Sequence, residues 1–186
     1  MNKAATVNER VRGRLKELHL TAIRNYFEEA ATTAQQEQLS YEQYLLEVLE
    51  HESEVRLARR IGRLLQQSHL PLGKTLEAFD MTRLPDGIAR QVRTLADGAF
   101  LDRRENVLAF GNPGSGKTHL LCAIAHELVQ SGRRVYFTPT SLLVQELLLA
   151  KRELTLGRLL KKLGRFEAVI LDDLGYVQQS LSLIHI

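Results

Sequence analysis

Asn106-Val107-Leu108-Ala109-Phe110-Gly111-Asn112-Pro113-Gly114-Ser115-Gly116-Lys117-Thr118-His119-Leu120 is the stretch that decides the fold. Its centre fits the phosphate-loop pattern G-x-x-x-x-G-K-[ST]. Asn106–Phe110 before it reads as a short buried strand, and Thr118–Val129 after it reads as a helix, which is the context such a loop needs. Phosphate binding requires many N–H donors converging on one point, and a backbone curls that tightly only where side chains are absent. Gly111, Gly114 and Gly116 therefore have a steric reason to be there. The loop opens a helix whose unpaired N–H groups and positive dipole end favour the same negative charge. Lys117 is placed to reach the β and γ phosphates, and the Thr118 hydroxyl to take one position on Mg²⁺. The chain is expected to bind ATP through Gly111, Asn112, Pro113, Gly114, Ser115, Gly116, Lys117, Thr118 and His119.

Downstream, Gly132 is placed to end the loop helix, and Val135-Tyr136-Phe137-Thr138 reads as a strand. Strand, helix, strand implies a right-handed parallel crossover. Thr140 or Ser141 can cap a helix running through Leu149, and Leu156–Leu163 forms a shorter one. Phe166-Glu167-Ala168-Val169-Ile170-Leu171 is apolar enough for a strand covered on both faces, and it ends in Asp172-Asp173. Acids delivered by such a strand beside a phosphate loop make the Walker B arrangement. Asp172 is expected to hold Mg²⁺ together with Thr118, and Asp173 to polarise the attacking water as general base, with Lys117 as the other catalytic group. Asp172-Asp173-Leu174-Gly175 also fits the D-x-x-G element of GTPases, a rival reading of the same residues.

Upstream, residues 9 to 68 carry apolar residues at helical spacing: Val11, Leu15, Leu18, Ile23, Phe27, then Tyr44, Leu45, Val48, Leu49, Val55, Ile61, Leu64 and Leu65. Ser40-Tyr41-Glu42-Gln43 has the form of a capping box, with a long helix to follow and end by Pro71. Its arginines, Arg56, Arg59, Arg60 and Arg63, read as a solvated face in preference to a DNA-binding stripe. Ser68-His69-Leu70-Pro71-Leu72-Gly73-Lys74 breaks the periodicity. Beyond a Pro85-Asp86-Gly87 turn, one amphipathic helix runs along Ile88, Val92, Leu95, Ala99 and Phe100. The expected fold class is α/β. A helical N-terminal module (1–70) precedes a linker and leading helix (71–105) and the first half of a phosphate-loop parallel-sheet domain (106–180).

The 186 residues include 44% hydrophobic and 25% charged residues, ordinary for a globular protein large enough to bury a core. No apolar run reaches bilayer length and the N-terminus lacks a signal-peptide core, so a cytoplasmic protein with no membrane partner is expected. Cys122 is the only cysteine, which excludes an intramolecular disulfide. Cys122 and His126 lie one helical turn apart, but two ligands make a poor metal site and both are expected to pack the helix. A net charge of +3 allows an acidic partner without requiring one. The best candidate surface for DNA is Lys151, Arg152, Arg158, Lys161, Lys162 and Arg165, interrupted by the single acid Glu153.

Taken together, Thr75-Leu76-Glu77-Ala78-Phe79-Asp80, the loop through His119-Leu120, and Ile170-Leu171-Asp172-Asp173-Leu174-Gly175-Tyr176-Val177-Gln178-Gln179-Ser180 resemble the IstB-like transposition helper ATPases. These belong with the DnaC-type helicase loaders in the AAA+ class. The resemblance spans residues 9 to about 180. It implies an ATP-dependent, homo-oligomerising protein that binds double-stranded DNA and recruits or activates a transposase, with the N-terminal module as an interaction part. A DnaC-type helicase loader and a non-hydrolysing adaptor between DNA and transposase are the alternatives. Leu181-Ser182-Leu183-Ile184-His185-Ile186 departs from the family pattern and matches a translation of the transposase-end adapter CTGTCTCTTATACACATC. Residues 181–186 are therefore expected to be a non-native tail on a truncated reading frame. The sensor and arginine-finger residues that the family uses for hydrolysis are then missing, and the fragment is expected to bind ATP without hydrolysing it.

Overall fold

In the computed structural model, residues 3–174 are described. Gly175, the Tyr176–Ser180 part of the family-like stretch and the Leu181–Ile186 tail lie outside them. The chain divides into two compact units, Met1–Arg60 and Ile61–Ile186, with the boundary inside one long helix.

The first unit is built from α1 (Lys3–Glu17), α2 (Thr21–Gln36) and the first part of α3 (Tyr41–Ser68). Ile23, Phe27, Ala30 and Val48 are its buried core, with Val11, Leu15, Leu20, Tyr26 and Tyr44 packed around them. The capping box forms as the sequence predicts: Ser40 N donates to Gln43 Oε1 at 2.8 Å, and Gln43 N donates to Ser40 Oγ at 3.2 Å. The apolar stripe on α3 differs from the expected one. Tyr44, Val48 and Glu52, spaced four apart, face inward, whereas Leu45 and Leu49 are exposed.

Glu52 is the surprise on that face. It is 4% exposed and accepts from the N–H groups of Ala22 and Ile23, at 2.8 and 2.9 Å, in the first turn of α2. Those donors have no intrahelical partners, and the negative charge meets the positive end of the helix. Arg56 Nε donates to the other carboxylate oxygen at 2.7 Å. Burial pushes the Glu52 carboxyl up, but the N–H donors and the Arg56 guanidinium outweigh it and hold it below the usual range.

In the second unit, the end of α3 leads through Leu70 to a 3₁₀ turn (Met81–Arg83), α4 (Asp86–Ala96) and α5 (Ala99–Asp102). Where one helix is expected, Gly98 divides α4 from α5, and Pro85-Asp86-Gly87 serves as the start of α4. The central element is α6 (Lys117–Gln130), packed between α4 and β1 (Val135–Pro139). Cys122, Ala123, Ala125 and Val129 are wholly buried on it. Each large aliphatic side chain so removed from water contributes about 1.5–3 kcal/mol. Gly132 closes α6 as predicted: its φ of 88° is one that side-chain-bearing residues avoid, and Arg133 N reaches back to Leu128 O at 2.9 Å. His126 packs inside with Nε2 3.1 Å from Pro71 O.

The helices α7 (Thr140–Arg152) and α8 (Leu156–Leu163) connect β1 to β2 (Ala168–Asp172), and the two strands pair in parallel with Pro139 opposite Asp172. Arg133 binds both Asp102 and Glu167, joining α5 to the loop before β2. Two expectations fail here. Asn106–Phe110 is not a strand: it is exposed, with Leu108 at 67% and Phe110 at 87%. The expected crossover from it into β1 therefore does not form. Nor is β2 covered on both faces, since Val169 is 42% exposed. The first failure has a plain cause. A strand exists by pairing, and among the described residues no strand pairs with 106–110 or with the second edge of β2. An apolar groove of about 680 Å³ lies between the two segments, lined by Val107, Leu108, Leu121, Ile124, Ala168 and Ile170.

Candidate nucleotide site

Gly111–Gly116 curls over the start of α6, with Gly114 at φ 75° and Gly116 at φ 88°. Gly116 is required twice over. Its left-handed φ penalises any side chain, and a Cβ there would lie 3.2 Å from Phe79 Cε2. The first helical bond runs from Leu120 N to Gly116 O, which leaves the N–H groups of Lys117, Thr118 and His119 without helical acceptors. Asn112, Pro113, Gly114 and Ser115 are exposed at the crown of the loop. Lys117 folds back over it, its Nζ donating to the carbonyls of Gly111 and Asn112 at 2.9 Å each. The ammonium thus braces the loop.

Thr118 and Asp172, distant in sequence, come together: Thr118 Oγ1 donates to Asp172 Oδ1 at 2.9 Å. The separation of the two motifs along the chain is bridged by β1, α7, α8 and β2, whose parallel pairing returns Asp172 to the mouth of the loop. A hydroxyl and a carboxylate oxygen converging beside a phosphate loop suit Mg²⁺, which takes one or two protein oxygens and completes its octahedron with phosphate and water. No cluster of three or more His, Cys, Asp or Glu side chains with metal-site geometry occurs among the described residues, so a cage built wholly of protein is not what this donor set offers. Asp173 follows Asp172 in the left-handed region, φ 58°, and is exposed. That conformation is uncommon for a residue with a side chain and is found mostly for Asn and Asp.

His119, grouped with the loop on sequence grounds, directs its ring elsewhere. Its Nε2 lies 3.1 Å from Thr75 O and its ring meets Phe79 edge-on at 5.1 Å. Only its main chain faces the loop's chemistry. Thr75 and Phe79 thereby buttress the first turn of α6, a role invisible without the fold, although Thr75–Asp80 stands out in the sequence as a family-like stretch. Thr140 is the other residue with an unforeseen role. Expected, with Ser141 as the alternative, to cap a helix, it instead donates its hydroxyl to the Asp172 main-chain carbonyl at 2.7 Å, while Pro139 occupies the cap position with no side-chain bond. An apolar cavity of about 370 Å³ adjoins the loop, bounded by Phe79, Ile88, Val92, Phe110 and Leu120.

Cys122, one turn into α6, is wholly buried and its thiol is pushed up to about 11, mainly by desolvation. It is a packing residue. The basic residues Lys151, Arg152, Arg158, Lys161, Lys162 and Arg165 are all exposed on α7, α8 and the turn after them. No helix among the described residues is long and apolar enough to cross a membrane.

The sequence matches the family described as IstB-like ATP binding protein over residues 13–182. Among curated proteins it is 43% identical, over 88% of its length, to an insertion sequence ATP-binding protein of Sinorhizobium fredii, of which it covers 55%. It is 40% identical, again over 88% of the chain, to the ATP-binding protein of insertion sequence IS21 from Pseudomonas aeruginosa, covering 61% of that protein. The counterpart of insertion sequence IS5376 from Geobacillus stearothermophilus is 36% identical over 92% of the chain and is covered to 68%. The chain thus spans between about half and two thirds of the length of these relatives.

Proposed function

Because this chain belongs to the family of IstB-like ATP binding proteins, we propose that it binds ATP with Mg²⁺ at the loop Gly111–Thr118, as the nucleotide-dependent helper of a DNA transposition system. The observation that carries this reading is the 2.9 Å contact between Thr118 and Asp172, which joins the phosphate loop to the acidic strand end in one site. The N–H groups of the loop and of the first turn of α6 would hold the phosphates. Lys117 would move from the Gly111 and Asn112 carbonyls to the β and γ phosphates, and Thr118 and Asp172 would hold Mg²⁺. The metal would neutralise charge on the phosphates, and Asp173 would act as general base toward the attacking water.

Hydrolysis belongs, on this proposal, to a protein of the relatives' full length, whereas this chain binds ATP without turning it over. The partners on this proposal are a transposase, double-stranded DNA and further copies of the chain; the insertion-sequence names of the relatives support the transposition context. The helical part up to residue 70 would act as an interaction module. The basic surface from Lys151 to Arg165 would contact DNA phosphates, without reading bases.

The test is titration of the chain with a fluorescent ATP analogue, with and without Mg²⁺, beside the same titration with a GTP analogue. ATP is expected to bind and to be preferred. Lys117→Ala removes a charge-assisted bond that no neighbour replaces, and affinity should fall at least about tenfold. Unchanged affinity would refute the phosphate-loop assignment. Preference for GTP would favour the reading of Asp172–Gly175 as a GTPase element.

A further inference from the structure

We propose that Thr140 is a positioning residue of the nucleotide site: by holding the main-chain carbonyl of Asp172, its hydroxyl aims the Asp172 and Asp173 carboxylates and so sets how strongly Mg²⁺ promotes nucleotide binding. This role rests on the Mg²⁺–ATP assignment of the site and falls to a residue that neither sequence motif contains.

Thr140 follows Pro139, the residue opposite Asp172 at the end of the parallel ladder, and is the first residue of α7. Its Oγ1 donates to Asp172 O at 2.7 Å, at the point where the strand delivers its acids, and the residue is 8% exposed. Pro139 holds the N-cap position of α7, so the Thr140 hydroxyl is not engaged in capping that helix. Thr138, the buried threonine of β1, donates its hydroxyl to Pro139 O at 3.2 Å and not to Asp172.

The geometric consequence falls on both acids. Asp172 is gripped at each end, its carboxylate by Thr118 and its carbonyl by Thr140. That carbonyl belongs to the peptide leading into Asp173, which sits at φ 58°. A left-handed residue persists only where its surroundings over-determine it. With the hydroxyl gone, that carbonyl loses its buried side-chain donor, and the aim of Asp172 Oδ1 at Thr118 loosens. The phosphate loop itself, held by Lys117 and Phe79, is not touched by Thr140.

The experiment measures binding of a fluorescent ATP analogue to the chain, in Mg²⁺ and in EDTA, for the wild type, Thr140→Val, Thr140→Ser and Asp172→Asn. Thr140→Val should leave metal-free affinity within about twofold while the gain produced by Mg²⁺ falls at least about fivefold. Thr140→Ser, which keeps the hydroxyl, should restore the gain, and Asp172→Asn should abolish it. A wild type without a Mg²⁺ gain, or an Asp172→Asn variant that keeps one, overturns the reading of the site itself. If those two behave as expected, a full Mg²⁺ gain in Thr140→Val overturns the Thr140 proposal alone. Equal decreases with and without metal also overturn it, because they mark a merely structural role. Circular dichroism checks folding of each variant. Should Thr140→Val not fold, Thr140→Ser decides: a retained gain supports the hydroxyl's role and an abolished gain refutes it.

Discussion

Replacing Glu52 by alanine should strongly destabilise the first unit while leaving the nucleotide unit intact. The carboxylate is 4% exposed and accepts from two helix-terminal N–H groups, at 2.8 and 2.9 Å, and from Arg56 at 2.7 Å. Hydrogen bonds to a charged group contribute about 1.5–3 kcal/mol each, and an N–H left buried without a partner costs about as much. Arg56 adds little, since its side chain is 53% exposed and the pair is screened on that side. The two N–H bonds therefore set the loss at about 3–6 kcal/mol. A unit of about sixty residues has roughly 3–9 kcal/mol of stability in all, so the substitution removes much of it. Glu52→Gln, which keeps one acceptor oxygen without the charge, should cost less.

The same geometry predicts a pH dependence. Glu52 is held below its ordinary value of 4.5, so its contribution is complete above that value and is lost as pH falls through the lower, folded-state value. The assay is thermal melting by circular dichroism together with limited proteolysis, with cleavage sites mapped by mass spectrometry. Cuts should multiply within residues 9–60 of Glu52→Ala and not within α6. An Ala variant with wild-type melting and wild-type cleavage would refute the assignment of Glu52 as the organiser of the start of α2.

Other outcomes follow from single features. Cys122, raised from 9.0 to about 11 by burial, should carry about a hundredfold less thiolate than an ordinary thiol; iodoacetamide at neutral pH should label it only after unfolding, and rapid labelling of the folded chain would contradict its place in the core. Gly116→Ala would force φ 88° on a side chain and press a Cβ against Phe79, at about 1–3 kcal/mol; ATP titration should show at least about tenfold weaker binding. Reversing the charges of Lys161 and Lys162 in a protein of the relatives' length should flatten the salt dependence of DNA binding by up to about 0.9 in log–log slope for each DNA phosphate that is no longer neutralised, and an unchanged slope would remove α8 from the proposed DNA surface. In the same longer protein, Asp173→Asn should keep ATP binding and lose hydrolysis, measured by phosphate release; normal turnover would show that Asp173 is not the base.

Much of this protein is legible from residues alone, wherever the deciding partner is a near neighbour in sequence. The capping box at Ser40–Gln43, the cap at Gly132, the limits of α8 and the glycines of the phosphate loop all depend on interactions within a turn or two. The pairing of loop and acids is legible too, because two motifs in the right order imply one site. Tertiary structure decides what depends on partners far along the chain. Asn106–Phe110 has the composition of a strand, but a strand's hydrogen bonds lie in its neighbours, and none is present for it among the described residues. Glu52 reads as one more surface acid until α2 brings two unpaired N–H groups to it from 29 and 30 residues away. Thr140 reads, with Ser141, as a helix-cap candidate until β2 presents the Asp172 carbonyl to its hydroxyl. Local sequence specifies which polar groups a segment must satisfy, and the fold alone determines which distant group satisfies them.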